Sequence, residues 1–322
     1  MSERRNCEPC FVDGLVSDLG GPRTGELLGR LDASVDWERL AAPIRELRGY
    51  TNTGPGRPAW SAVLMLRCLM LAKWFNLSDP QLEETLQDRL SFRRFAGLSL
   101  SDATPDETTF VRFRGRLREA GLHERIFEGV VEQLDERGLL VRAGTLVDAT
   151  IIEQSRGHKR EDGTSTRDAD ASFTKKHGRS YHGYKGHIAC DVSGLVTDWR
   201  YTTAKEHDGR YLDEMTTDEQ HAVFADAMYD SGPRREALRR RGVAPGICYQ
   251  RRRGQHELST WQRWWNRLIA STRARVEHPF AMIKQQMGLR RVRYRGLERN
   301  AADFCLTLAA ANLKRSLSLA GP

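Results

Sequence analysis

The sequence predicts an α/β fold in two parts, an all-α N-terminal domain followed by a mixed sheet with flanking helices. Three observations carry this reading. From Asp36 to Leu140 the apolar residues recur with a helical period, broken at Gly54-Pro55-Gly56, at Asp79-Pro80 and from Leu100 to Pro105. After Gly144 the pattern switches to a β-branched run, Thr145 to Ile152, that reads as a buried strand. Two further strand-like runs, Tyr184 to Val192 and Leu195 to Thr203, flank Ser193-Gly194, a hairpin signal.

In the helical part the clearest start is Thr104-Pro105-Asp106-Glu107. Thr104 can cap, Pro105 suits the first helical position, and Glu107 closes a capping box. Phe110, Phe113 and Leu117 then form one face, while Arg112, Arg114, Arg116 and Arg118 point elsewhere. Together with Pro80 to Leu90 this segment is compatible with a helix-turn-helix; an ordinary bundle is the competing reading, and the slightly acidic balance favours it. In the second part, Ser155 to Gly178 reads as a polar loop and Asp208 to Gln220 as a helix. Ala222 to Met228 reads as a buried strand, Pro233 to Arg241 as a short basic helix, Val243 to Gln250 as a strand, and Ser259 onward as a long helical stretch. The order β-β-β-α-β-α-β-α, a five-stranded mixed sheet covered by helices, is the RNase H-like arrangement. The expected boundaries are an arm with short helices at 1–56, a helical domain at 57–140 that is a candidate for DNA binding, and an RNase H-like domain with a basic C-terminal segment at 141–322.

Composition narrows the function. The longest apolar run, Ala62 to Phe75, is broken by Arg67 and Lys73 and falls short of a membrane span. The N-terminus opens no apolar segment of the secretory kind. Cys7 and Cys10 form a CxxC with no second pair, so we expect neither a zinc site nor disulfides, and a reducing compartment. The charge is uneven: residues 231–322 hold 20 basic and 5 acidic residues, a net of +15 against +8 for the whole chain. Arginine supplies 43 of the 51 basic residues, which suits bidentate contacts to phosphate. The runs Arg234-Arg235, Arg239 to Arg241, Arg251 to Arg253 and Arg290-Arg291 are interleaved with Tyr249, Trp261, Trp264 and Trp265. A polyanion with stackable bases, nucleic acid, fits both features.

Three carboxylates sit where chemistry on such a polyanion would need them. Asp148 and Asp226 each lie within a predicted buried strand, where an isolated carboxylate is costly unless paired, protonated or metal-bound. Neighbouring strands would oppose their joint ionisation without a cation. Glu277 is the only acid between Glu257 and Glu298. Converging carboxylates offer hard oxygen ligands for Mg²⁺, and two such ions about 4 Å apart clamp the attacking and leaving oxygens of phosphoryl transfer. Spacing alone leaves the two aspartates equally readable as strand-end residues satisfied by backbone amides. Arg273, Glu277 and Lys284 follow the spacing R-x3-E-x6-K, which puts them on one helical face, with Pro279 expected to kink that helix.

At these residues the sequence resembles the DDE-type transposases of the insertion-sequence-five family. The likeness is carried by VEHPFAMIKQQMGLRRVRYRGLERN at Val276 to Asn300, LVDATII around Asp148, the segment His182 to His187 (HGYKGH), ADAMYDS around Asp226, and PDETTFVRFRGRL at Pro105 to Leu117. The resemblance implies that Asp148, Asp226 and Glu277 are the catalytic, metal-binding triad, and that Arg273 and Lys284 are the basic positions of the signature. Where that signature begins with a tyrosine, this chain has Ala270. The expected cofactor is Mg²⁺, with Mn²⁺ as a substitute and two ions per site. The expected DNA-binding residues are Arg273, Lys284, Arg290, Arg291, Arg293 and Arg295, with Arg112 and Arg116 in the helical part. The resemblance further implies double-stranded DNA partners (terminal inverted repeats and target DNA), a homodimer or larger assembly on DNA, no membrane, and a place in the bacterial cytoplasm with the nucleoid. Competing readings are a non-catalytic DNA-binding derivative, another RNase H-like nuclease, and a His-based metallohydrolase built on His182, His187 and His207.

Overall fold

A computed structural model of the chain describes residues 23–47, 50, 58–158, 165–176 and 178–320. The Cys7–Cys10 pair lies outside them, as does most of the expected N-terminal arm. The chain divides into two compact units, residues 1–136 with 309–322, and residues 137–308.

The first unit is all helical: α1 (Arg23–Ser34), α2 (Trp37–Arg45), α3 (Ala62–Trp74), α4 (Asp79–Asp88), α5 (Leu90–Ala96), α6 (Glu107–Glu119) and α7 (Leu122–Glu136). Helix α3, apolar apart from Arg67 and Lys73, is its centre, with Leu64, Met65, Leu66, Cys68 and Leu69 almost fully buried. Around its C-terminal end, Trp37 and Phe95 meet Trp74 edge-on at 6.5 and 5.6 Å. The start of α6 differs from expectation. Asp106, not Thr104, is the cap: its Oδ1 accepts the Thr109 amide at 2.6 Å. A carboxylate takes that amide more strongly than a hydroxyl, and the accepted bonds hold Asp106 below the usual carboxylate range. Phe110, Phe113 and Leu117 are buried as the pattern predicted. Helix α5 intervenes between the two helices expected to form a helix-turn-helix, so the unit is a bundle.

The second unit is built on six strands rather than five: β1 (Thr145–Glu153), β2 (Ser172–Lys176), β3 (Arg179–Asp191), β4 (Val196–Thr203), β5 (Ala222–Ala225) and β6 (Ala244–Ile247). β3 pairs antiparallel with β1 on one edge and with β2 and β4 on the other; β1, β5 and β6 run parallel. Antiparallel pairs on one side of β1 and parallel pairs on the other make the RNase H-like sheet. The additional strand, β2, comes from the segment read as a loop, because only five of its residues find an edge, that of Arg179 to Gly183.

One face of this sheet packs Val147, Ala189, Val223, Ala225 and Ile247 against Leu212, Met215 and Leu238 of α8 (Gly232–Arg240). On the same sheet Phe304, from helix α11 (Leu297–Leu319), meets Tyr201 at 5.2 Å and Trp199 at 6.1 Å. The expected helix at 208–220 is absent apart from a 3-10 turn, Asp208–Arg210. Its carbonyls are taken by arginines instead: Arg234 donates to Gly209 O and Arg241 to Thr216 O, at 2.7 Å for the latter.

The glycines of HGYKGH have separate steric causes. Gly183 has φ +155°, and a Cβ there would lie 2.2 Å from the Ile152 carbonyl oxygen. At Gly186 a Cβ would fall 2.5 Å from the Phe304 ring. Backbone cannot yield as a ring edge can, so Gly183→Ala should destabilise by about 3 kcal/mol or more and Gly186→Ala by about 1–3 kcal/mol. Urea unfolding of the two variants should rank them in that order.

Candidate active site

Asp148 and Asp226 are brought to one level of the sheet by its register. Thr145 and Leu146 of β1 pair with Val223 and Phe224 of β5, and pairing ends there. Each aspartate lies two residues beyond its last paired residue, at the carboxyl edge of the parallel pair, where α/β sheets open a crevice. Asp226 is therefore not inside a strand as expected. β5 stops at Ala225, and Asp226 caps the 3-10 turn Ala227–Tyr229, accepting the Met228 amide at 2.7 Å. A carboxylate that accepts that amide ends the strand.

Asp148 stays in β1, opposite Ile188, and its Oδ1 accepts the Ala149 amide at 2.8 Å. Burial, reinforced by the negative charge of Asp226, pushes its carboxyl up to about 6, against the pull of the Ala149 amide, Arg273 and Lys176. Arg273 stands against both acids: its Nη2 is 3.9 Å from Asp226 Oδ2, and its charge favours ionised Asp148. Its Nε is buried without a hydrogen-bond partner, and so is the hydroxyl of Tyr229, which burial and the charges of Asp148, Asp208 and Asp226 hold in its protonated form.

The R-x3-E-x6-K stretch is not one regular helix. Helix α9 (Thr260–Arg273) ends at Arg273; a 3-10 turn, Ala274–Val276, follows and packs on β1. Helix α10 (Glu277–Ala281) then passes into a π turn, Met282–Gln286, that holds Lys284. Pro279 falls in the first turn of α10, where its missing N–H costs nothing, so the chain restarts a helix there. Glu277 is exposed at that restart. Among the described residues, no three His, Cys, Asp or Glu side chains form a group that could hold a metal ion. The pair Asp148 and Asp226 nonetheless fits a divalent ion: two hard carboxylate donors, one desolvated, whose like charges oppose each other and are countered by the Arg273 guanidinium. Mg²⁺ takes one or two carboxylates and completes its shell with water and phosphate oxygens.

Beside the pair, Thr150, Glu153, Phe280, Lys284 and Arg290 line a cleft of about 330 Å³. Lys284 is held below its usual range by burial first, then by the nearby positive charge of Lys176. Lys176 was hidden in the segment read as a loop; the alternation of SFTKK was its only signal. The chain Arg290 to Val292 extends the edge of β1: the Glu153 amide donates to Arg290 O and the Val292 amide to Glu153 O, both at 3.0 Å. Arg290, Arg291 and Arg293 are exposed there, and Arg295 donates to Thr166 O. In the helical unit Arg112 is exposed, whereas Arg116 lies over the Tyr50 ring at 5.4 Å and Arg114 pairs with Asp79.

One basic run, Arg234-Arg235, turns inward. Arg235 pairs with Asp230 at 2.7 Å, both nearly buried, and Arg234 pairs with Asp213. The histidines do not converge. His182 contacts Ser155 O through Nδ1, His187 is fully buried against Thr202 with its pKa pushed down to about 4 by burial, and His207 accepts the Gly209 amide. An odd spacing on a strand sends His182 and His187 to opposite faces, which removes the His-based hydrolase reading.

Comparison with known proteins follows the same lines. Residues 21–116 match the family described as a transposase domain, and residues 140–313 match the transposase DDE domain. Among solved structures the chain is similar to the piggyBac transposase synaptic complex with hairpin DNA (11% identity, 90% of this chain and 73% of that chain, TM-score 0.46). It is also similar to the Mos1 strand transfer complex (11% identity, 76% and 82%, TM-score 0.21). The DDE-domain match alone spans more than half of the sequence, and the chain belongs to the DDE-domain transposases.

Proposed function

We propose that this transposase cleaves the phosphodiester backbone at the ends of an insertion sequence and joins the released strand to target DNA, with Asp148, Asp226 and Glu277 holding divalent ions. The observation that carries this is the acidic pair at the open edge of the β1–β5 register, with Arg273 against both carboxylates. Bound there, Mg²⁺ or Mn²⁺ would supply Lewis acidity to the attacking and leaving oxygens. The chain's residues do the rest. Asp148 and Asp226 hold their donor oxygens in place by accepting hydrogen bonds from the Ala149 and Met228 amides, which lock their side chains. Arg273, with Lys284 and Lys176 on the cleft side, presents positive charge to the scissile phosphate. Water attacks phosphorus first, breaking the P–O3′ bond and leaving a 3′-hydroxyl; that hydroxyl attacks the target phosphodiester next and expels the target's own 3′-oxygen, so no side chain forms a covalent bond. Pairing two element ends calls for at least two copies of the chain. Glu277 enters through its place in the signature, and Glu277→Gln should lose cleavage of end-bearing DNA while holding that DNA within a few-fold of native. Full Mg²⁺-dependent cleavage by Glu277→Gln would take it out of the site.

The exposed cations Arg290, Arg291 and Arg293 support a sequence-independent grip on duplex. Binding should therefore weaken steeply with salt, log K falling by about 0.9 per phosphate contact, as titration by fluorescence anisotropy would show. Phosphate contacts carry no sequence information, so recognition of the ends needs another reader. Arg112, exposed on α6, is the candidate; Arg116, lying over Tyr50, is less available to base edges. Arg112→Ala should reduce the preference for element ends over random duplex by about 5- to 100-fold and leave random-duplex affinity nearly unchanged.

A further inference from the structure

Helix α9 carries an aromatic stripe that the cleavage chemistry does not use. Trp261, Trp264 and Leu268, at helical offsets of three and seven, are each about half exposed. Only Ile269 of this helix is buried, so α9 is held mainly by its indoles and their partners. Trp265 donates from Nε1 to Ile247 O at 3.1 Å. Trp261 stacks on Trp265 with centroids 5.6 Å apart and planes 16° from parallel, and Tyr249 meets Trp261 edge-on at 5.4 Å. Beneath Tyr249 lies the Arg235 guanidinium, 3.9 Å from the ring centroid and fixed by its buried pair with Asp230. Trp261 thus rests on a stiff ladder tied to β6, with Trp264 one turn along the same face, and a ring already ordered gives up little entropy when a ligand stacks on it.

The surroundings decide what that ligand is. From Tyr249 to Arg275 there are seven arginines and one carboxylate, Glu257, which pairs with Arg263 at 3.0 Å. A second copy of this face would meet like charge, whereas a nucleic acid supplies phosphates for the arginines. Bases inside a duplex have their faces covered by their neighbours, so exposed indoles take unpaired bases. Along the helix axis Trp264 lies nine residues from Arg273, about 14 Å, or roughly four stacked nucleotides. The two residues point to different sides of α9, so the stripe takes bases flanking the cut and not the reacting phosphate.

We infer that Trp261 and Trp264 form a stacking platform for unpaired DNA bases beside the cleavage site, an inference that rests on the DNA-cleaving reading above. The test uses the full chain in metal-free buffer, so that no strand is cut, and three labelled probes: a blunt duplex, the same duplex with a six-nucleotide unpaired overhang, and the free overhang strand. The native protein should bind the overhang probe about tenfold tighter than the blunt one. Trp261→Ala combined with Trp264→Ala should bring both to the blunt affinity, while Trp264→Phe keeps most of the preference. Both indoles are exposed, and unchanged circular dichroism shows that the variants fold. Equal affinity of the native protein for blunt and overhang probes, or a preference that survives the double variant, overturns the platform and leaves duplex binding standing. Failure to bind any probe overturns the DNA reading itself. A loss of self-association in the double variant, with overhang preference intact, assigns the stripe to a second copy and also overturns the platform.

Discussion

Asp148→Asn and Asp226→Asn should each lower strand cleavage and strand joining by about a thousandfold or more, while duplex affinity stays within a few-fold of native. Replacing a carboxylate by an amide keeps the shape but removes a charged oxygen ligand, and the charge stabilisation at stake is several kcal/mol of barrier. The proposed grip on DNA is assigned to the exposed Arg290, Arg291 and Arg293, which neither substitution touches. Single-turnover cleavage on end-bearing duplex, alongside anisotropy binding, separates the two effects. Substantial Mg²⁺-dependent cleavage by either variant would remove that residue from the site.

The metal-free protein should be more stable as Asp148→Asn than as native, an inversion of the usual cost of replacing a half-buried side chain. The folded pKa of Asp148 is about 6 against an ordinary 3.8. Below about pH 4 both states hold the proton and the native protein suffers no penalty. Between about pH 4 and 6 the unfolded chain releases it while the folded chain keeps it, so stability falls as pH rises. Above pH 6 the penalty is complete, up to about 3 kcal/mol for a shift of this size. Thermal melts at pH 8 with a chelator should place the variant several degrees above native, and added Mg²⁺ or Mn²⁺ should raise only the native midpoint. A native protein as stable as the variant in chelator at pH 8 would show that Asp148 is not strained by its setting.

The sheet was legible where the sequence carries a period or a turn. Thr145 to Ile152 and the Ser193-Gly194 hairpin come from local preferences, and both stand in the structure with ends shifted by a residue or a few. What the pattern missed depends on partners distant in sequence. β2 exists because β3 offers a free edge, and the segment at 208–220 is pinned by arginines from α8 and its C-terminal end. Asp148 and Asp226 were legible as costly carboxylates, but their common level follows from the β1–β5 register, which no spacing contains. The basic runs misled in part: charge in sequence does not distinguish Arg235, spent inside on Asp230, from Arg290, left outside.

Helix α11 sets an order of assembly on the growing chain. Its residues from 309 onward belong to the helical unit, where Leu313 and Leu317 are buried, Trp74 donates to Ala310 O at 2.8 Å and Arg30 to Leu317 O at 3.2 Å. Those residues leave the ribosome after everything from 137 to 308. The helices that come first in this sequence therefore wait, core unfinished and Trp74 without its carbonyl partner, until the sheet has been synthesised. A message cut short anywhere from 137 to 308 yields a helical unit with an open core, so copies truncated there are poor folders whatever the state of their sheet.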